Sequence, residues 1–333
     1  MARRNRPIRT LGAVVLGLGM AGLAGGAAVR VTGRRLRGRT DPELDSLLEV
    51  PDDVVHHHLR SNDGGSIHVV EHGSGRPVVL LHGVTLQWWV WSALFRLLED
   101  RYRVLAWDMR GHGESIAGND GVTLEAVADD LAVVLESLDL SDALLVGHSM
   151  GGMALARFCA DHHDVLRERV GGLMFLATSA ASMALPALAG GAVGAANLVA
   201  GLATDGSRMR YGWKDTDLSA VLIRRVFGRA VTGVAIDEVR RMLSEVDPRT
   251  AAEAGAAIAT HDVRKALDHV DVPTLVVVGT DDHLTPVAHA RIVADEVKGS
   301  RLHVLDGVGH QVMQEDPVAL ADLVGELDAI APD

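Results

Sequence analysis

The stretch ALLVGHSMGG, residues 143–152, decides the reading of this chain. It opens with a short apolar run suited to a buried strand, and a helix-like run begins directly after Ser149. Between them lies Gly147-His148-Ser149-Met150-Gly151, a G-x-S-x-G motif. Alone, that motif arises by chance in a chain with 36 glycines. A strand before it and a helix behind it are the context that makes it a nucleophile elbow. Such a sharp turn forces the serine backbone into a strained conformation and lifts the hydroxyl above the sheet edge. Only small residues fit two positions to either side, hence Gly147 and Gly151. The helix that follows aims its first N–H groups at the reacting oxygen. A dinucleotide-binding turn would instead show G-x-G-x-x-G after an early strand, which GHSMGG does not match.

Outward from the elbow, the chain alternates strand-like and helix-like runs from about residue 53. DVVHHHLR and SIHVVEHG flank an Asn-Asp-Gly-Gly turn and read as a hairpin. PVVLLHG, YRVLAWD, ALLVG, GLMFLATS, PTLVVVG and RLHVLDG follow, separated by helices near 89–99 and 123–138, from Met150 onward, and near 287–297 and 315–330. Thr123 is placed to cap the second of these helices. Short apolar strands between helices imply an α/β fold, a mostly parallel eight-stranded sheet covered by helices on both faces. Residues 181–268 hold helix-like stretches and no convincing strand, so they read as a helical insertion over the sheet.

A serine hydroxyl is a poor nucleophile until a base takes its proton. Sixteen histidines compete for that role. His310 ends GVGH directly after the last strand, where a loop reaches the elbow, and is the expected base. His82 and His148 are placed by local backbone needs. His56, His57 and His58 read as outer-strand residues rather than metal ligands, and the remaining histidines as solvated or capping. The base needs an acid to fix its tautomer, and either Asp281 or Asp282 is suitably placed after PTLVVVG. Backbone N–H groups of Met150 and Val84 are the expected oxyanion donors. Trp88, Trp89 and Trp91 follow the oxyanion loop, and Trp88, Trp89 or Trp91 either lines the substrate pocket or simply packs the helix on the sheet.

These blocks together resemble the α/β-hydrolase family. HGV at 82–84, DMRGHGES at 108–115, GHSMGG at 147–152, GTDDHLTP at 279–286 and GVGH at 307–310 stand in family order. The resemblance spans roughly 53–330 apart from the insertion, and it implies that 181–268 is a helical cap. The family pattern G-x-x-D-x-x-x-P falls on Gly279, Asp282 and Pro286, which favours Asp282 as the acid. Relatives that open epoxides or displace halide carry Asp where this chain has Ser149. The resemblance therefore implies a Ser149–His310–Asp282 carboxylic ester hydrolase acting on a small-molecule ester, needing no metal and no cofactor; the small and apolar start of the insertion, ASMALPALAGGAVGAANLVAGLA, points to an ester of apolar or lipid-like character. Acyl transfer to another acceptor, perhydrolysis or C–C bond hydrolysis on the same triad are the alternatives. A non-catalytic binding protein on this fold is disfavoured by the presence of all three residues.

Composition fits this reading. The chain has 333 residues, 48% of them apolar and 23% charged, ordinary for a globular protein. One cysteine, Cys159, rules out an intrachain disulfide. Nine of the 32 basic residues and none of the 44 acidic ones lie in residues 1–39, leaving the remainder at −21. So acidic a body has no face for phosphate contacts, and no nucleic-acid partner is expected. Residues 11–29 are uncharged between arginine blocks and would span about 28 Å as a helix. Residues 1–39 therefore read as a membrane-anchor or signal-like segment, giving a membrane-associated or exported protein while leaving a cytoplasmic location open. Residues 40–52 read as a linker, and 53–180 with 269–333 as the catalytic core.

Overall fold

A computed structural model describes residues 26–182 and 216–331. Eight strands form one sheet: β1 Val55–Arg60, β2 Ser66–Gly73, β3 Arg76–Leu81, β4 Tyr102–Asp108, β5 Ala143–His148, β6 Val170–Leu176, β7 Thr274–Gly279 and β8 Arg301–Leu305. Their spatial order is β1-β2-β4-β3-β5-β6-β7-β8. The β1–β2 and β2–β4 pairs are antiparallel, and all others are parallel.

Alternation within the strands builds two cores. Val79, Leu81 and Leu145 face the helices Leu124–Ser137 and Met150–Asp161. Val78, Leu80, Leu144 and Val146 face the helices Ser92–Leu98 and Pro317–Ile330. Every residue of β5, β6 and β7 is buried, as expected for parallel strands covered on both sides. Each fully buried aliphatic side chain contributes about 1.5–3 kcal/mol. The Thr123 hydroxyl accepts the Ala126 N–H at 3.2 Å, capping the helix where the sequence placed its start. Cys159 is buried.

The interruption after β6 is helical where it is described: Asp217–Ile223, Gly233–Glu245 and Pro248–Thr260. The rest of it, 183–215, lies outside the described residues. Residues 40–52, expected to act as a linker, carry the helix Pro42–Leu48, capped by Asp41. Leu48 is buried there, because this helix packs on Ser92–Leu98 and Gly233–Glu245. A further helix covers residues 26–37 and is tied to the insertion by an Arg37–Asp217 ion pair. Most of the uncharged run 11–29 lies outside the described residues. Among the described residues no helix is long and apolar enough to cross a membrane.

The DMRGHGES segment is a structural hub. Arg110 reaches both carboxylate oxygens of Asp130 at 2.8 Å, and its third nitrogen meets Asp63 and the Gly121 carbonyl, each at 3.0 Å. Burial raises the Asp130 carboxyl above its ordinary value despite this partner. Arg110→Met should therefore cost about 3–5 kcal/mol, because it strands a buried acid. Urea unfolding checks this; a loss below about 1 kcal/mol, typical of a surface pair, would contradict it.

Candidate active site

The C-terminal ends of the parallel strands open on one edge of the sheet, and the expected site residues follow them. Residues 82–84 follow β3, Ser149 follows β5, Asp282 follows β7 and His310 follows β8. Ser149 has φ +52° and ψ −117°, the strained backbone that the elbow requires. Close packing on either side explains its glycines. A Cβ on Gly151 would stand 2.4 Å from the Leu81 carbonyl oxygen, and one on Gly147 2.7 Å from Gly152 Cα. The Ser149 N–H donates to Leu176 O at 3.0 Å, and Thr178 Oγ1 donates to Ser149 O at 2.6 Å. The serine is therefore locked at its backbone and 3% exposed.

The expected acid and the expected base meet. Asp282 Oδ2 accepts from His310 Nδ1 at 2.9 Å and from Thr285 Oγ1 at 2.7 Å. Its Oδ1 accepts the backbone N–H groups of Leu284 and Thr285 at 2.8 and 2.9 Å. Burial alone would push this carboxyl up. The charge and hydrogen bond of His310, with those of Thr285, outweigh burial and hold it below the ordinary carboxylate value. Asp281 turns outward instead, 3.5 Å from the Arg229 guanidinium.

His310 is also held against the elbow. His148 Nε2 donates to the His310 carbonyl at 2.9 Å, and the two rings lie 4.7 Å apart between centroids. The His310 N–H donates to Val226 O at 2.8 Å. The Gly309 N–H donates to Glu315, whose carboxylate also takes the Gly228 N–H. Burial raises that carboxyl to about 7. No hydrogen bond joins Ser149 Oγ to His310 among the described residues. Without substrate such a bond is commonly long, and it tightens on the reaction path.

The two expected oxyanion donors flank the serine. Met150 opens its helix, so its N–H has no intrahelical acceptor. Gly83, one residue before Val84, approaches so closely that a Cβ there would stand 3.1 Å from Ser149 Cβ. The loop is held by His112, a histidine that the sequence reading left as solvated or capping. The Thr85 N–H donates to His112 Nε2 at 3.1 Å, with Thr85 itself at φ +62°. His112, His68 and His261 are all buried. Trp88 and Trp89, expected to line the pocket, are both buried, at 8% and 6% exposure. Trp88 meets Phe95 edge-on at 5.8 Å and borders a cavity with Asp108 and Glu114. Trp89 donates to Gln87 Oε1 at 2.8 Å and lies under Arg241. The tryptophan against the elbow is Trp91, 6.3 Å from the His148 ring.

The chain belongs to the α/β-hydrolase fold family, whose sequence profile matches residues 76–317. It is a hydrolase of that fold. It is similar to the non-heme chloroperoxidase CPO-A1 of Kitasatospora aureofaciens, 34% identical over 260 residues, covering 76% of this chain and 91% of that protein. A non-heme haloperoxidase of Rhodococcus erythropolis is 32% identical over 272 residues, covering 76% and 92%. Among solved structures, a thermophilic esterase from Thermogutta terrifontis superposes with a TM-score of 0.67 at 26% identity, over 84% of this chain and 100% of that one.

The buried histidines make stability pH-dependent. His82 Nε2 accepts the Met109 N–H at 2.9 Å, and its other nitrogen donates to Gly83 O at 2.7 Å, so the ring serves as a neutral clamp. Burial, with His112 adding to it, depresses its pKa from 6.5 to about 3. A depressed histidine contributes stability that is complete above 6.5 and is lost as pH falls toward about 3. The urea midpoint should therefore drop between pH 7 and pH 4, and His82→Gln should show a shallower drop. An unchanged pH slope in that variant would count against the clamp.

Proposed function

We propose that this protein hydrolyses carboxylic esters through an acyl-enzyme on Ser149, with His310 as general base and Asp282 orienting it. The observation that carries this reading is the Asp282–His310 hydrogen bond at 2.9 Å, set beside a serine held at φ +52°. His310 Nδ1–H donates to Asp282, which leaves Nε2 as the lone-pair nitrogen. His310 Nε2 takes the hydroxyl proton as Ser149 Oγ attacks the ester carbonyl. The N–H groups of Val84 and Met150 receive the developing oxyanion. His310 then returns the proton to the leaving alcohol, and water, deprotonated by the same nitrogen, releases the acid.

Residues 181–268 form the cap in this reading, and the core is 53–180 with 269–333. The stretch ASMALPALAGGAVGAANLVAGLA at its start is small and apolar. It suits a lid over an apolar acyl group, so esters of apolar acids are the proposed substrates. A membrane partner through residues 11–29 fits the same substrates. A second reading follows from the two relatives named haloperoxidases: hydrogen peroxide in place of water would attack the same acyl-enzyme and release a peracid.

Ser149→Ala should lower kcat on an activated ester by on the order of 10⁴-fold or more with the fold intact. Near-wild-type turnover would defeat the assignment. Thr285→Val removes one donor to the Asp282 carboxylate and should lower kcat/KM about 10-fold, matching the worth of one charged hydrogen bond. Hydrolysis rates over esters of graded acyl length test the substrate class. Peracid formed from acetate and hydrogen peroxide, measured alongside, separates the second reading from the first.

A further inference from the structure

The hairpin at the far edge of the sheet carries a second group of chemistry-bearing side chains that the Ser149 machinery does not use. We propose that His58, His68 and Glu114 bind a divalent first-row transition metal of the zinc(II) type, at the rim of an acidic cavity beside Asp108. One potential ligand atom from each residue lies within 4.8 Å of the others. The fold, not sequence proximity, assembles them. His58 and His68 are cross-strand partners in the β1–β2 register, so both project from the same face of the hairpin. Their rings stack with centroids 5.1 Å apart. Glu114 arrives from the loop after β4.

The support behind these residues is what a metal site needs. His68 is fully buried, and its Nδ1 donates to Asp108 Oδ2 at 2.8 Å. A carboxylate behind one ring nitrogen fixes the tautomer and presents the other nitrogen as a base, the arrangement that metal-bound imidazoles use. The same Asp108 oxygen accepts the Glu114 N–H at 3.1 Å, so one buried carboxylate orients two of the three ligands. Gly113 makes this turn at φ +49°, and a Cβ there would collide with the Asp108 carboxylate. Donor atoms around tetrahedral zinc stand about 3.3 Å apart. His58 and Glu114 are both exposed, so their side chains close the remaining distance around a fixed His68.

Two further features favour a cation. Asp108, Glu114, Glu245 and Asp247 all line the adjoining cavity of about 360 Å³, giving a negative wall with an open side for a water ligand. Two imidazoles and one carboxylate select zinc(II) and its first-row neighbours over magnesium or calcium, which prefer oxygen. His56 Nδ1 now lies 2.8 Å from His68 Nε2, so the metal takes the place of that hydrogen bond. Binding should therefore weaken at acid pH as the imidazoles take up protons. A metal here pins the hairpin to β4 and leaves the Ser149 chemistry aside.

The test uses the full chain without an affinity tag, dialysed against EDTA and titrated with zinc(II) in a calorimeter, with cobalt(II) as a visible-absorption probe. One equivalent of zinc(II) should bind with micromolar or tighter affinity and raise the melting temperature. His58→Ala and Glu114→Gln alter exposed side chains and should fold normally. Each should weaken zinc(II) binding at least 10-fold, and cobalt(II) should lose its intense tetrahedral absorption. Absence of saturable binding overturns the proposal. So does zinc(II) affinity untouched in both variants, which would place the ion on other histidines. Equal affinity for magnesium(II) would likewise overturn it, by assigning the binding to the acidic wall alone.

Discussion

The site depends on how closely the turn after β5 lies against the end of β3. Gly151 sits where a Cβ would stand 2.4 Å from the Leu81 carbonyl oxygen and 2.6 Å from that of His82, so there is no room for a side chain. That contact lets the helix Met150–Asp161 start immediately behind Ser149. It also brings the Gly83 loop over the serine and forces φ +52° on a non-glycine residue. The strain is held by buried surroundings: Leu176 and Thr178 bond the serine backbone, and β5 is covered on both faces. A strained serine at one end of a fully buried strand has few ways to relax.

Around that contact the protein places buried histidines as backbone clamps and one histidine, the proposed base His310, against a carboxylate. His82 and His112 accept backbone N–H groups, and His148 donates to the His310 carbonyl. Burial keeps the pKa values of His82 and His112 low and that of His148 well below the ordinary range. His310 alone of this group faces a carboxylate, Asp282, whose remaining lone pairs are taken by Thr285 and Leu284. Residue type does not separate the clamps from the proposed base; the partner on the second ring nitrogen does.

Much of this was legible in the sequence. The alternation of apolar strands and helices gave all eight strands, because a parallel sheet leaves near-continuous apolar runs. The elbow was legible because a strand–turn–helix junction needs glycines at fixed offsets. Other features were not. Asp281 and Asp282 are adjacent and chemically alike, and spacing alone left both open. His68 and His112 read as solvated residues because their burial comes from strands and loops far away in the chain. Trp88, Trp89 and Trp91 were not separable in the sequence, because three tryptophans in four residues give no hint of which way each faces. Thr285 and Glu315 carried no local signal, since each matters only through what the folded loops bring to it.

By itself the sequence determined the class of fold, the family resemblance and the serine turn, all of which rest on short-range periodicity and steric rules. Tertiary structure decided which aspartate faces the imidazole, which histidines lose their water, and which ring meets the elbow. It also set Glu114 beside the hairpin histidines, joined through Asp108. The division follows from distance: local backbone geometry is fixed by neighbours in the chain, whereas burial and hydrogen-bond partners come from elements up to hundreds of residues apart.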